Sequence, residues 1–399
     1  MGTKMKKLII TGGAGFIGCN AAAHFRRAGA NVVVVDNLSR RGSEANLAWL
    51  RDQGVGQFIR ADVTNADAMN DLMAQHADAD AVLHLAAQVA VTSSVADPRA
   101  DFEANALGTF NVLEAVRVAA RGRPAFLYAS TNKVYGRLDN LRVVQRQGRY
   151  AYQDLPRGVD ECEPLDFHSP YGCSKGASDQ YVLDYARIYN MKTVSFRQSC
   201  IYGTRQFGVE DQGWVAWFCI AALTGQPLTI YGDGGQVRDV LWVGDLVECY
   251  ERSLERIDEI SGEAFNIGGG PANTLSLLEL VEQIERRLGD RLEPAFADWR
   301  PGDQRVFVAD IDKAEGLLGW SPRIGVTEGL DRLLTWVKDH RFLFSKTGAR
   351  TSIQTSTSRG DSRGRQLDRI SASLGQFSPS VNGSFPSHNG TRLEEIAQP

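Results

Sequence analysis

The stretch LIITGGAGFIGCNAAAHFRRAG, residues 8–29, runs in order through a short apolar β-branched segment, a glycine turn and a helix-forming segment. Gly12, Gly15 and Gly18 are spaced for three demands: a tight turn, close backbone approach to a pyrophosphate, and close packing of helix on strand. A helix starting at that turn presents free N–H groups and the positive end of its dipole to phosphate, with Phe16 and Ile17 in the same site. The next β-branched run, Asn31–Asp36 (NVVVVD), ends in an acidic residue eighteen positions after Gly18. Asp36, with Asn37 beside it, is placed to accept hydrogen bonds from an adenosine ribose. Asp36 would repel a 2′-phosphate, so the expected cofactor is NAD rather than NADP. Arg40 and Arg41 are read as solvated loop charges, although guanidinium groups there keep NADP open.

The alternation continues. FIRADVTN (58–65), AVLHLAAQ (81–88) and AFLYAST (125–131) read as strands, separated by helical runs such as NADAMNDLMAQHA (65–77) and ADFEANALGTFNVLEAVRVAA (100–120). Successive βα units predict an α/β fold: a Rossmann-like, doubly wound parallel sheet with ligands beyond the carboxyl ends of its strands. The expected organisation is a dinucleotide-binding domain over 5–197 with a returning segment near 238–268. A smaller C-terminal, substrate-binding domain follows, mainly over 198–344.

Composition bounds the rest. The 399 residues carry 44 Lys and Arg against 48 Asp and Glu, for a net charge of −4. This balance gives no reason to expect nucleic acid or a membrane surface as partner. The longest apolar stretch, Trp214 to Leu223, is about half the ~20 residues a membrane-spanning helix needs. The Leu8-Ile9-Ile10 run is too short for a secretory signal. Six scattered cysteines without a CxxC pair predict reduced thiols, no zinc cluster and a cytoplasmic protein. Residues 345–399, with eleven serines and a charge of +3, cannot bury enough apolar surface to offset ordering entropy and are predicted to be disordered. Residues 1–344 therefore carry −7.

Chemistry enters with Ser130-Thr131 at the end of a strand and with Tyr171 and Lys175 at the start of a helical run. Tyr171 and Lys175 are four apart and share a helix face. An ammonium beside a phenol, with a positive nicotinamide nearby, stabilises phenolate and draws its pKa down from about 10, which suits Tyr171 to act as a general base. A nucleoside diphosphate needs cationic hydrogen-bond donors, and Arg205, Arg238, Arg300 and Arg305 lie in Gly/Pro-interrupted segments beyond the nucleotide fold.

TGGAGFIG, DNLSRRG, HLAAQ, NALGTFNVLEA, STNKVYG, YGCSK, GDGGQVRDVLWVGD, NIGGG and RPGDQRVFVADIDKA together resemble the extended short-chain dehydrogenase/reductase family of nucleotide-sugar enzymes, from about Met5 to Val337. The resemblance implies Asp62 and Val63 at the adenine, Leu85, Ala86, Ala87 and Asn105 along the cofactor, and Thr131, Tyr171 and Lys175 as the catalytic triad. It implies Gln88, Thr131, Asn132, Arg205, Gln206, Arg238 and Arg305 around a nucleoside-diphosphate sugar. No metal is implied.

Family dehydratases carry an Asp-Glu pair after the catalytic Thr, where this chain has Asn132-Lys133. Neither residue can do that carboxylate work, and the glutamate of decarboxylating relatives is missing too. Epimerisation, or simple oxidation and reduction, remains. The expected activity is nucleotide-sugar epimerisation with tightly held NAD regenerated at each turnover. A 4-epimerase, a 4-ketoreductase and a non-catalytic NAD-binding protein are the rivals. Trp214 and Trp217 in DQGWVAWF contact substrate or fill an apolar gap between domains. Family resemblance suggests a homo-oligomer, dimer or tetramer, through the segments around 100–120 and 170–189.

Overall fold

The computed structural model describes residues 5–300 and 303–344. The predicted disorder of 345–399 lies outside these residues. Seven strands form the main sheet: β1 Lys7–Thr11, β2 Asn31–Asp36, β3 Gln57–Arg60, β4 Ala81–His84, β5 Ala125–Thr131, β6 Thr193–Gln198 and β7 Glu263–Ile267. Their order is β7-β6-β5-β4-β1-β2-β3, and every pairing is parallel. Parallel strands buried on both faces need near-continuous apolar runs, and Leu8–Ile10, Val32–Val35 and Ala81–Leu83 supply them at 2% exposure or less.

The strands are linked through helices that include α1 Phe16–Arg27, α2 Ser43–Asp52, α3 Ala66–Gln75, α4 Gly108–Val118 and α5 Ser169–Tyr189. One apolar layer joins α1 and α2 to one face of the sheet, and another joins α3, α4 and α5 to the opposite face. The chain moves outward from β1 to β3 and then returns to β4 on the other side of β1. That reversal opens a crevice at the carboxyl ends of β1 and β4.

The remaining strands make smaller sheets. Cys200–Tyr202, Val237–Trp242, Thr274–Ser276 and Val306–Phe307 form a mixed four-stranded sheet beside the main one. Within 238–268, helix Val243–Glu255 packs its Leu246, Val247 and Tyr250 into the α1 layer, and β7 completes the main sheet at its edge. The described residues lie within a single compact unit. Among them, no helix is long and apolar enough to cross a membrane, and all six cysteines are unpaired.

Two strands are shorter than their apolar runs predict. β3 stops at Arg60 because Asp62 turns back to accept hydrogen bonds from the Thr64 backbone and hydroxyl, after which Asn65 caps α3. β4 stops at His84, and Leu85 to Gln88 leave the ladder to line the crevice.

Candidate active site

The crevice holds a cavity of about 800 Å³, and Gly12, Gly15, Phe16, Ile17 and Gly18 line it. Gly12 has φ +68°, and a Cβ there would come within 2.7 Å of the Ala86 amide nitrogen. At Gly18 a Cβ would run into the Gly12 carbonyl oxygen, so this glycine sets how closely α1 approaches the turn. Gly15 differs, because its added Cβ would meet only the Gly12 oxygen, at 3.0 Å. Gly15 caps α1 with no side-chain hydrogen bond, and the first turn contains no acid. The N–H groups there suit an anion, so the turn fits a pyrophosphate.

Asp36, at the end of β2, accepts hydrogen bonds from the Ala14 amide (3.0 Å) and the Leu38 amide (2.8 Å). Burial raises its pKa against those amides, yet the carboxylate lines the cavity and keeps acceptor capacity for a ribose diol. Asp62 is also pushed up by burial. Hydrogen bonds from the Asn37 amide (2.7 Å) and from Thr64 outweigh this and hold it below the usual carboxylate range. Asn37, Asp62, Val63, Leu85, Ala86, Ala87 and Gln88 all line the same cavity. Residues suited to pyrophosphate, ribose and adenine therefore surround one space large enough for a dinucleotide.

Asn105 does not line it. Its Oδ1 accepts from the Gln88 amide (2.9 Å), and its Nδ2 donates to Asp101 (3.1 Å) and Ser174 (3.2 Å). From this fully buried position Asn105 fixes the Gln88 turn and ties it to α5.

Tyr171 and Lys175 both line the cavity from the first turns of α5. Burial pushes the Tyr171 phenol up to about 12, and hydrogen bonding with Thr131 works in the opposite direction. Lys175 is not among the groups that lower the phenol here. The Lys175 ammonium donates to the Ala129 carbonyl (2.5 Å) and sits 4.2 Å from the Tyr128 ring centroid. Burial brings its own pKa down to about 7. Thr131 and Asn132, each 7% exposed, lie just beyond the cavity lining, where the Thr131 hydroxyl donates to Asn132 Oδ1 (3.4 Å). Ala129 and Ser130 of β5 line the cavity, and the buried Ser130 hydroxyl has no partner. Thr131, next along β5, is outside that lining but hydrogen-bonds with the Tyr171 phenol, which is part of it.

The expected substrate residues divide in the same manner. Arg205 and Gln206 line the cofactor-sized cavity, together with Arg40 and Arg41, so the expected solvated loop charges face the site. Arg238 and Arg305 do not line it. Arg238 is 8% exposed, and its guanidinium pairs with Asp303 (2.7 Å) and donates to the Gln304 carbonyl (2.6 Å). Arg305 lies 5.4 Å from the Tyr150 ring centroid, and Arg300 pairs with Asp211 (2.9 Å). Trp214 donates its indole N–H to Cys200 Sγ (3.5 Å), while the buried Trp217 indole N–H has no partner. Lys133 donates to Gln304 Oε1 (3.0 Å), which links the segment after β5 to the Arg238 cluster. The sequence does not single out Gln198, Phe207 or Gln212, which also line the cavity.

Residues 8–268 match the model of the NAD dependent epimerase/dehydratase family. The chain is 46% identical over 335 residues to CDP-paratose 2-epimerase of Salmonella typhi, covering 83% of this chain and 98% of that protein. UDP-glucose 4-epimerase of Thermotoga maritima, solved with UDP-glucose, superposes with a TM-score of 0.72 at 31% identity, covering 84% of this chain and 99% of the other. UDP-glucose 4-epimerase of Thermus thermophilus, solved with NAD, gives 0.70 at 31% identity, covering 84% and 99%.

Proposed function

Because the chain belongs to the NAD dependent epimerase/dehydratase family of nucleotide-sugar enzymes, we propose that it interconverts CDP-paratose and CDP-tyvelose by epimerising sugar C2. The observation that carries this reading is the 46% identity extending through 98% of CDP-paratose 2-epimerase. It is supported by Asn132-Lys133 after Thr131, which provides no carboxylate pair for dehydration.

When bound, NAD would supply a reversible hydride acceptor for C2, so the reaction would have no net redox change. The glycine turn and the α1 N-terminus would hold its pyrophosphate, Asp36 its adenosine ribose, and Asp62 and Val63 its adenine. Tyr171 acts here as phenolate, a state that burial alone disfavours and that the positive nicotinamide of bound NAD⁺ would favour; assisted by Thr131, it takes the proton of the C2 hydroxyl and later gives it back from the same phenol oxygen. Lys175 positions that phenol by anchoring α5 to Ala129. Arg238 and Arg305 are assigned to the substrate diphosphate; Arg238 must then exchange its Asp303 partner for phosphate oxygens.

We also assign α4 and α5 as the face through which the chain forms a homo-oligomer. Phe110, Tyr181, Ile188 and Tyr189 are exposed on these helices, and exposed aromatic groups clustered on neighbouring helices are a common mark of subunit contact. Tyr181→Asp should reduce the mass measured by sedimentation to that of one chain; an unchanged mass contradicts this assignment.

The test of substrate is incubation with CDP-paratose, UDP-glucose, UDP-galactose and GDP-mannose, followed by proton NMR of the sugar ring. Inversion at C2 of CDP-paratose alone supports the proposal. Inversion at C4 of a UDP- or GDP-sugar would instead establish the 4-epimerase reading.

A further inference from the structure

The cavity has a wall that the glycine turn and the acidic residues do not provide. Between strand Cys200–Tyr202 and helix Trp214–Thr224 the chain passes through residues 203–213, and Arg205 to Val209 and Gln212 line the cavity. This segment is fastened to the dinucleotide fold at several points. The Asn20 side chain of α1 donates to the Thr204 carbonyl (3.0 Å), and the Asn46 side chain of α2 donates to the Arg205 carbonyl (3.3 Å).

Arg205, held at φ +68°, places its guanidinium 4.5 Å from the Trp49 ring centroid and 5.8 Å from that of Trp336. The Phe207 ring covers Gly42, where any Cβ would collide with it, and packs against Phe344 with centroids 5.3 Å apart. At this end the wall is built from buried and stacked contacts. At the other end it meets the loop that leads into Gly42 through a side-chain hydrogen bond, from the Arg40 guanidinium to Gln212 Oε1. Arg40 and Gln212 both line the cavity.

We infer that residues 204–212 are the outer wall of the dinucleotide site and that the Arg40–Gln212 hydrogen bond is a clasp that must part before the dinucleotide can leave. The inference rests on the proposed placement of NAD in this cavity. Arg205 and Gln206 thereby belong to cofactor retention rather than to substrate. An enzyme that regenerates its NAD in every cycle does not need to release it, so a clasp across the exit leaves turnover unimpeded. The contact joins loops 172 residues apart in sequence, and its loss would part Gln212 from Arg40 while leaving in place the buried contacts at the Phe207 end and the Arg300 contacts to Glu210 and Asp211.

The experiment uses the full chain purified without added cofactor. NAD per chain is measured after denaturation, and exchange of bound NAD⁺ for carbon-14-labelled NAD⁺ is followed in wild type, Arg40→Ala, Gln212→Ala and the double variant. A hydrogen bond to a charged group predicts exchange about tenfold faster in either single variant. Because one contact is removed in both, the double variant should be no faster than the singles. Circular dichroism melting of the NAD-free proteins should be unchanged. Wild-type exchange rates in both single variants, acceleration by Arg40→Ala alone, or multiplicative acceleration would each overturn the clasp. If the wild type binds no NAD, the placement of the cofactor fails and the clasp fails with it. If it binds NAD and the variants exchange normally, only the clasp fails.

Discussion

Tyr171 and Lys175 stand one turn apart on α5, but they are held by different residues of the same strand: the phenol is influenced by Thr131, while the ammonium donates to the Ala129 carbonyl. Lys175 therefore sets the position of the helix that carries the phenol. The phenol itself is governed by burial, which keeps it protonated at neutral pH in this state.

Tyr171→Phe removes the only proton-carrying atom of that side chain and leaves its ring in place. Turnover should fall by about 10²–10⁴-fold, with circular dichroism and melting temperature retained. Thr131→Val should lower kcat less severely, because it removes a partner of the phenol rather than the phenol oxygen. Near-normal steady-state rates for Tyr171→Phe would remove Tyr171 from the proton relay.

The buried Lys175 amine links stability to pH. Its pKa is about 7 in the folded chain, against an ordinary value of 10.5. Between these values the unfolded chain binds a proton that the folded chain lacks, so stability rises with pH across this window. Below about 7 both states are protonated and the cost of burying the charge is fully present. Urea unfolding at about pH 7.5 and about pH 9 should show wild type gaining about 1–2 kcal/mol relative to Lys175→Met. Parallel pH dependences for the two proteins would contradict this account.

Two glycines of the turn should fail in different ways. Gly18→Ala forces α1 away from the Gly12 carbonyl and should lower the melting temperature by several degrees, roughly the effect of 1–3 kcal/mol of overpacking. Gly15→Ala meets one oxygen at 3.0 Å and otherwise projects where a pyrophosphate would lie. It should lose NAD binding, measured by calorimetry, with a smaller change in melting temperature. Equal losses of stability would show that Gly15 is a packing glycine.

Asp179 is fully buried on α5, where it pairs with Arg197 of β6 at 2.9 Å and accepts from Ser195 at 2.5 Å. Arg197 also donates to the Tyr135 hydroxyl, which in turn donates to Asn266 of β7. Asp179→Ala leaves a guanidinium stranded in the interior and should cost about 3–5 kcal/mol in urea unfolding. A loss below about 1 kcal/mol would show that water or Tyr135 compensates the charge.

The sheet and cofactor cradle were legible because their signals are local. β-branched runs, a glycine triplet with fixed spacing and an acid at the end of β2 all fall within residues 8–36. Tyr171 and Lys175 were legible from their helical spacing taken together with the glycine-rich βαβ unit and the Ser130-Thr131 strand end that precede them. The ends of β3 and β4 were not, because the same apolar residues serve equally for pairing and for lining a crevice. Ser130 was named beside Thr131 without a role, and only the fold shows that it lines the cavity. Arg238 was placed at the diphosphate by motif, but its partners Asp303 and Gln304 are 65 and 66 residues away. Arg40 and Gln212 carry no spacing signal, since their relationship exists only between two loops brought together by the fold.

The most direct test of the proposed chemistry is conversion of CDP-paratose in deuterated water, with the product C2 position read by NMR. Removal and return of the same hydrogen as hydride predicts CDP-tyvelose with protium at C2. Substantial deuterium at that carbon would mean that C2 is deprotonated and reprotonated from solvent, and would contradict the account.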